Sequence, residues 1–148
     1  CLKYEMRAMG VGGSIVNTSS GQGVMAWADS AGYVASKHAV CGLTRAAAVE
    51  GGPAGIRVNA ILPGMVRTTL NEFVFGDADA PGAQETLREL EGVHLLDRLA
   101  KAEEIGHATR WLLSDESSFV TGAMIPVEGG ATAGRRVASA GRRVATSQ

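Results

Sequence analysis

Several features that define common function classes are scarce or missing in this 148-residue chain. Its two cysteines, Cys1 and Cys41, offer no disulfide framework and favour a reducing compartment such as the cytoplasm. Fourteen basic residues balance 15 acidic ones, and this net charge of −1 argues against a nucleic-acid partner. No apolar run approaches the roughly 18 residues of a membrane span. The histidines, His38, His94 and His107, lack a ligand-like spacing, so no metal site is predicted.

The composition that remains is that of one globular unit with an added tail. The chain is 45% hydrophobic and 20% charged, which is enough to bury a core. Residues 133–148 differ from the rest, because 133–139 and 140–146 are two copies of one basic motif, which together contain four arginines and no acidic residue. We therefore expect a folded unit over residues 1–132 and a disordered, low-complexity tail over 133–148.

Two β-branched runs flank a long helical segment and predict an α/β unit. The first run, 13–21, ends in hydroxyls and glycine, and the second, 56–62, leads into Pro63 and Gly64. Between them, residues 31–50 have a proline-free helical pattern. Ser30 is the predicted N-cap, and Gly51-Gly52-Pro53 is the stop signal.

Tyr33 and Lys37 form a potential proton-transfer pair on this helix. Residues four apart project to the same side of a helix, and both the lysine charge and the helix dipole in the first turn favour phenolate over phenol. Ser20 lies thirteen residues before Tyr33, at the carboxyl end of the first strand, where α/β folds place their sites. Alternatively, Tyr33 is a half-buried helix residue beside a surface lysine, and Ser20 is a turn serine.

Several motifs occur in an order that resembles the short-chain dehydrogenase/reductase family over residues 1–132. They are Asn17–Ser20, Tyr33-x-x-x-Lys37, Ile56–Asn59, Pro63-Gly64, Thr68, 97–105, 118–122 and 127–130. The resemblance implies an α/β fold. It would be the C-terminal half of a Rossmann-type doubly wound parallel sheet, with three strands and flanking helices.

The resemblance also implies a role for each site residue in NAD- or NADP-dependent hydride transfer to or from a ketone or secondary alcohol. Tyr33 would be the acid/base, Lys37 would support it and bind the nicotinamide ribose, and Ser20 would hold the substrate oxygen. Pro63, Gly64 and Val66 would lie along the nicotinamide, and Thr68 would bond its carboxamide. The family implies a homodimer or homotetramer, with Ala39, Gly42, Ala46 and Ala47 allowing close helix packing.

The chain also departs from the family pattern. The family's glycine-rich dinucleotide-binding half is missing, as is a fourth catalytic residue, an asparagine that would precede Cys1. We therefore expect a C-terminal portion of a longer enzyme, inactive by itself, with the outer edge of the strand at 14–18 unpaired. Glu128 stands where the family usually has aspartate.

Two alternative functions remain open at this stage. One is a non-catalytic fragment or pseudoenzyme that retains only the oligomerisation surface, and the other is a dehydratase or epimerase of the same fold. The resemblance makes 69–96 a substrate lid. Met25 and Trp27 are expected either to line a substrate cleft or to pack under their loop.

Overall fold

A parallel three-stranded sheet with helices packed on it forms the body of the protein. The structure is a computed structural model that describes residues 1–68 and 82–135. Within these ranges the helices are α1 (Leu2–Met9), α2 (Ala31–Gly51), α3 (Ala83–Gly92) and α4 (Ala102–Leu113), and the strands are β1 (Ser14–Thr18), β2 (Arg57–Pro63) and β3 (Met124–Val127). The strand order is β1-β2-β3, with both pairs parallel. The predicted fold class is confirmed.

The core lies between β2 and α2. Side chains alternate between the two faces of a strand, so Val58 and Leu62 point to the same face. Both are fully buried, Val58 beside Ala47 and Ala48 of α2, and Leu62 beside Cys41. The small α2 residues bring the helix close to the sheet. Ala47, one of the small residues named for close helix packing, is buried in this core.

Helix α4 covers the opposite face of the sheet and is held there by an arginine. Arg57 of β2 donates to the Leu112 carbonyl at 2.9 Å and to the Ser114 carbonyl at 3.0 Å. These carbonyls lie at the C-terminal end of α4, where backbone acceptors lack helical partners and a cation is favourable. Ser14 of β1 also donates to the Leu112 carbonyl, at 2.8 Å. Leu112 itself is fully buried.

Strand β1 lies at the edge of the sheet. Among the described residues it pairs with β2 alone, from Ser14 opposite Arg57 to Thr18 opposite Ile61. Its other edge is therefore unpaired in the part of the chain that the structure describes, as predicted. Just ahead of β1, the side chain of Val11 is 87% exposed. An exposed apolar residue thus immediately precedes the strand whose outer edge is unpaired.

Element boundaries follow the sequence prediction closely, with two corrections. Ser30 precedes α2, but its hydroxyl makes no capping bond; it lies 2.9 Å from both the Gln22 side-chain oxygen and the Trp27 carbonyl. The family motifs at 118–122 and 127–130 were expected to form the final strand, but this strand covers only Met124–Val127, because 118–122 form a turn.

Parts of two predicted segments lie outside the described residues. They are positions 69–81 of the expected lid and 136–148 of the expected tail. Across 1–68 and 82–135, no helix is long and apolar enough to cross a membrane.

Candidate active site

The carboxyl ends of all three strands open into one cleft of about 450 Å³. Parallel strands end at the same edge of a sheet, so the segments that follow them come together there. Four residues predicted to form the site line this cleft: Ser20, Tyr33, Pro63 and Gly64. Their placement agrees with the prediction, while their roles remain predictions.

Ser20 lies just after β1 and begins a short 3₁₀ turn, Gly21–Gly23. Its side-chain oxygen accepts a hydrogen bond from the Gln22 backbone amide at 3.2 Å. The hydroxyl hydrogen remains available to donate toward the cleft, because a hydroxyl accepts and donates at the same time. Ser20 can therefore hold a carbonyl or alcohol oxygen.

Tyr33 and Lys37 meet on α2 as their spacing predicts. Tyr33 lies in the first turn and is 48% exposed, so its hydroxyl is open to a ligand. The Lys37 ammonium lies 5.5 Å from the centre of the Tyr33 ring. The same nitrogen donates to the Thr18 carbonyl at 3.3 Å. Lys37 does not line the cleft itself, but its positive charge lies next to the ring of Tyr33, which does.

A buried network that the sequence did not reveal connects β1 to α2 behind Ser20. Ser19 donates its hydroxyl to the Lys37 carbonyl at 2.9 Å, and Cys41 donates its thiol to Ser19 Oγ at 3.3 Å. Ser19 is 3% exposed and Cys41 is 2% exposed. The network fixes the β1 end against the backbone of the Tyr33–Lys37 turn. The sequence signal for this network was the pair of consecutive serines, because Ser19 faces the interior and Ser20 faces the cleft.

Val66 and Thr68 do not line the cleft, although the sequence assigns both to the cofactor site. Val66 makes an isolated parallel bridge with Ala100, and the neighbouring Arg67 amide donates to the Ala100 carbonyl at 2.9 Å. Thr68 is exposed and is the last described residue before 82. The structure thus brings Ser20, Tyr33, Pro63 and Gly64 together in the cleft. It places Val66 and Thr68 outside the cleft.

Met25 and Trp27 line the cleft rather than only packing under their loop. Both also line a larger neighbouring cleft of about 690 Å³, together with Leu90 and Val93. The side walls next to Ser20 and Tyr33 are therefore largely apolar, which suits an organic substrate with few charges.

Two buried polar residues at this edge were not predicted as site residues. His94 is 2% exposed and lines the cleft, with both ring nitrogens bonded to backbone groups. Glu128 follows β3 and is 7% exposed; its carboxylate accepts from the Thr132 amide at 2.8 Å and the Thr132 hydroxyl at 3.2 Å. For His94, the available signal was its position four residues after Leu90 near a helix end, where an imidazole can bond the carbonyl one turn back.

An exposed ion pair lies beside a third, smaller cleft of about 210 Å³. Arg98 donates two hydrogen bonds to Glu104, at 2.7 and 2.8 Å, and the Lys101 amide donates a third at 2.8 Å. The Arg98 hydrogen bond is the main cause that lowers the pKa of Glu104 to about 2, and the Lys101 amide adds to it. The same pairing raises the pKa of Arg98. The pair ties the start of α4 to the segment before it.

Within 1–68 and 82–135, no group of three or more His, Cys, Asp or Glu residues is placed to hold a metal ion.

Comparison with known proteins identifies the family. A family model described as enoyl-(acyl carrier protein) reductase matches residues 1–132. The chain belongs to the short-chain dehydrogenase/reductase family.

Two characterised relatives show how much of a family member this chain represents. A 2,5-dichloro-2,5-cyclohexadiene-1,4-diol dehydrogenase from Sphingobium indicum is 46% identical over 136 residues, which are 90% of this chain and 52% of the relative. An A-factor type gamma-butyrolactone 1'-reductase (1S-forming) from Streptomyces virginiae is 47% identical over 135 residues, which are 89% of this chain and 51% of the relative. The chain thus spans about half the length of these relatives.

Solved structures match the fold to a similar extent, and some contain a nicotinamide coenzyme. A 4-hydroxyisoleucine dehydrogenase mutant complexed with NADH and succinate superposes with a TM-score of 0.77 at 36% identity, over 90% of this chain and 53% of that one. ElxO with NADP bound superposes with a TM-score of 0.81 at 29% identity, over the same shares of the two chains.

Proposed function

We propose that this chain forms the proton-transfer half of an NAD(P)-dependent oxidoreductase that interconverts a ketone and a secondary alcohol. One observation carries the proposal. The Ser20 and Tyr33 side chains line the same cleft at the carboxyl ends of the strands, with the Lys37 ammonium 5.5 Å from the Tyr33 ring. The coenzyme-bound structures of similar proteins support the choice of a nicotinamide coenzyme.

The three side chains divide the work at the substrate oxygen. Ser20 donates its hydroxyl hydrogen to that oxygen and orients the reacting carbon. Tyr33 donates a proton to the oxygen during reduction and removes it during oxidation, as a general acid/base. Lys37 stabilises the negative charge that Tyr33 carries after it gives up its proton, because the ammonium is held beside the ring.

The described residues fit the nicotinamide end of a coenzyme. Pro63 and Gly64 line the same cleft as Tyr33. We assign Tyr33 and Lys37 to the ribose hydroxyls and Pro63 and Gly64 to the ring. Val66 and Thr68 lie outside this cleft, and their contacts with the ring and its carboxamide remain predictions. When bound, the coenzyme supplies or accepts the hydride.

The dinucleotide end has no matching feature in this chain. A glycine-rich turn between a strand and a helix, which would cradle the pyrophosphate, is absent from the sequence. We therefore propose that residues outside these 148 hold that end, and that the chain by itself binds neither coenzyme tightly.

The cleft walls favour a compact, largely apolar substrate. Met25, Trp27 and Leu90 line the same space as Ser20 and Tyr33, so a hydrocarbon ring can contact them while its oxygen meets the two hydroxyls. The names of the relatives, a cyclohexadienediol dehydrogenase and a gamma-butyrolactone 1'-reductase, support a ring-bearing alcohol or ketone.

To test the proposal, residues 1–148 are joined to the part of the Sphingobium indicum relative that this chain does not match, and coenzyme-dependent oxidation of cyclic secondary alcohols is measured. We expect turnover in this chimera. Tyr33→Phe should lower it by at least about 100-fold, because the acid/base proton is lost.

Tyr4→Phe is the matched control, since Tyr4 lies on α1 and is 70% exposed, outside the cleft. It should leave turnover within about twofold, as expected for a surface site away from the chemistry. Equal turnover in the Tyr33→Phe and Tyr4→Phe proteins would sink the assignment of Tyr33. A chimera that folds and binds coenzyme but oxidises no alcohol and reduces no ketone would sink the oxidoreductase proposal.

A further inference from the structure

His94 is a buried imidazole at the point where the ends of β2, β3 and α3 meet. It follows α3, is 2% exposed, and lines the cleft that contains Ser20 and Tyr33. It also lines the two neighbouring clefts. The proposed proton transfer makes no use of it, so its position calls for a separate explanation.

The hydrogen bonds of His94 determine which ring nitrogen carries the proton. The Met65 backbone amide donates to Nε2 at 3.1 Å, so Nε2 must be the unprotonated acceptor. Nδ1 lies 3.0 Å from the Leu90 carbonyl, which can only accept, so Nδ1 must carry the hydrogen. This pair of bonds requires a neutral imidazole, because a protonated ring would present a donor to the Met65 amide.

Two glycines leave room for the imidazole. A Cβ on Gly64 would lie 2.7 Å from His94 Nε2 and 3.0 Å from Glu128 Cα, and one on Gly129 would lie 3.2 Å from His94 Cβ. Distances this short require the neighbouring atoms to move. The ring is therefore packed directly against the backbone that follows β2 and the backbone that follows β3.

The segment from Pro63 to Met65 is held on three sides. The Gly64 amide donates to the Val127 carbonyl at 3.1 Å, and the Met65 carbonyl accepts from the Ala100 amide at 2.9 Å. His94 holds the third group, the Met65 amide. The first two bonds are between backbone groups, while the third depends on a side chain and can be removed by substitution.

We infer that His94 is a positioning residue: its neutral imidazole, protonated on Nδ1, fixes the Met65 amide and so sets the Pro63–Gly64 wall of the active-site cleft. Its effect on turnover rests on the proposed function, since that wall would face the nicotinamide. Its effect on the backbone does not. His94 also makes the position of this wall depend on α3, through the Leu90 carbonyl.

Two near-isosteric variants separate the two bonds. His94→Gln places an amide oxygen near the position of Nε2 and can still accept from Met65. His94→Asn places an amide nitrogen near Nδ1 and can still donate to Leu90, but it lacks the reach to Met65. His107→Asn, on the exposed face of α4, is the matched control.

The first readouts are independent of activity. In the unsubstituted protein, nitrogen-15 NMR should show the His94 proton on Nδ1. His94→Asn should speed hydrogen exchange at the Met65 amide by about tenfold, the equivalent of one lost hydrogen bond. His94→Gln and His107→Asn should stay within about threefold, and the Ala60 amide of β2 should be unchanged in all of them. A proton on Nε2, or unchanged Met65 exchange in His94→Asn, overturns the inference.

Turnover in the chimera then separates this inference from the proposed function. We expect His94→Asn to lower turnover by about tenfold and His94→Gln to restore most of it. Turnover that is equal in both variants and in the unsubstituted protein overturns the inference and leaves the proposed function standing. If no version turns over but the Met65 and tautomer results hold, the proposed function fails and the positioning role stands. Should His94→Asn not fold, the tautomer still decides, since a proton on Nε2 overturns the inference.

Discussion

The Lys37 ammonium lies 5.5 Å from the centre of the Tyr33 ring, one helical turn away on α2. This arrangement is maintained from both sides of Lys37. Its ammonium donates to the Thr18 carbonyl, and its own carbonyl accepts from the Ser19 hydroxyl. The positive charge is therefore fixed to the end of β1 by the protein's own groups, before any ligand binds.

Replacing this charge should impair catalysis more than folding. In the chimera, we expect Lys37→Met to lower turnover by about 100-fold, because Tyr33 loses the cation that stabilises its deprotonated form. Steady-state kinetics measure the loss, and circular dichroism checks that the fold is retained. Lys101→Met, at an exposed lysine just before α4, is the control and should be close to the unsubstituted chimera. Full turnover in Lys37→Met would remove Lys37 from the mechanism.

Gly23 should not tolerate even one added methyl group. A Cβ there would collide with Ser19 Oγ and lie 2.9 Å from Cys41 Sγ and 3.1 Å from the Lys37 carbonyl. Overpacking of this kind typically costs about 1–3 kcal/mol, so Gly23→Ala should lower the free energy of unfolding by that amount in urea denaturation.

Gly106→Ala is the matched control for this prediction. Gly106 lies within α4, and an added Cβ would meet nothing within 4 Å. Alanine there should stabilise the protein by about 0.5–1 kcal/mol, since glycine is unfavourable inside a helix. If both variants shift stability in the same direction by the same amount, the contacts around Gly23 do not have the assigned importance.

The Arg98–Glu104 pair should make a pH-dependent contribution to stability. The folded pKa of Glu104 is about 2, below its ordinary value of 4.5, so the folded state binds this proton less readily than the unfolded state. The contribution is therefore fully present above pH 4.5 and is lost as the pH falls from 4.5 toward 2. Because both side chains are exposed, by 47% and 38%, the effect should be small and should weaken with salt.

Thermal unfolding across this pH range measures the contribution. The melting temperature of Glu104→Gln should lie below that of the unsubstituted protein at pH 6, and the two should converge as the pH approaches 2. Glu103→Gln, on the same first turn of α4 and exposed, provides the comparison. A difference that stays constant from pH 6 to pH 2 would contradict the assigned role of the Glu104 charge.

Much of the local structure could be predicted from the sequence, because it depends on near neighbours. The spacing of Tyr33 and Lys37 places them on one side of any helix, and the β-branched runs at 14–18 and 57–62 favour strands wherever they pack. The position of Ser20 at a strand end follows from the same pattern. The convergence of Ser20, Tyr33, Pro63 and Gly64 also followed, since parallel strands end at one edge of a sheet.

The predictions that needed correction depended on competition between distant or alternative partners. Ser30 has the right residue type and place for a cap, but its hydroxyl bonds to Gln22 and Trp27 instead. Ala47 is one of the small residues that the family resemblance linked to close helix packing, and it is buried in the core beside β2. Homo-oligomer formation through α2 remains a prediction.

Propensity and helical spacing act over a few residues, so they were enough to predict the order of strands and helices and the spacing of Ser20, Tyr33 and Lys37. The groups that support these three residues come from distant parts of the chain and depend on the fold. Ser19 meets the Lys37 carbonyl across 18 residues, and His94 meets the Met65 amide across 29. Whether a buried hydroxyl or imidazole finds such a partner depends on how the sheet and helices pack, since a buried polar group must be paired and any nearby backbone group can serve.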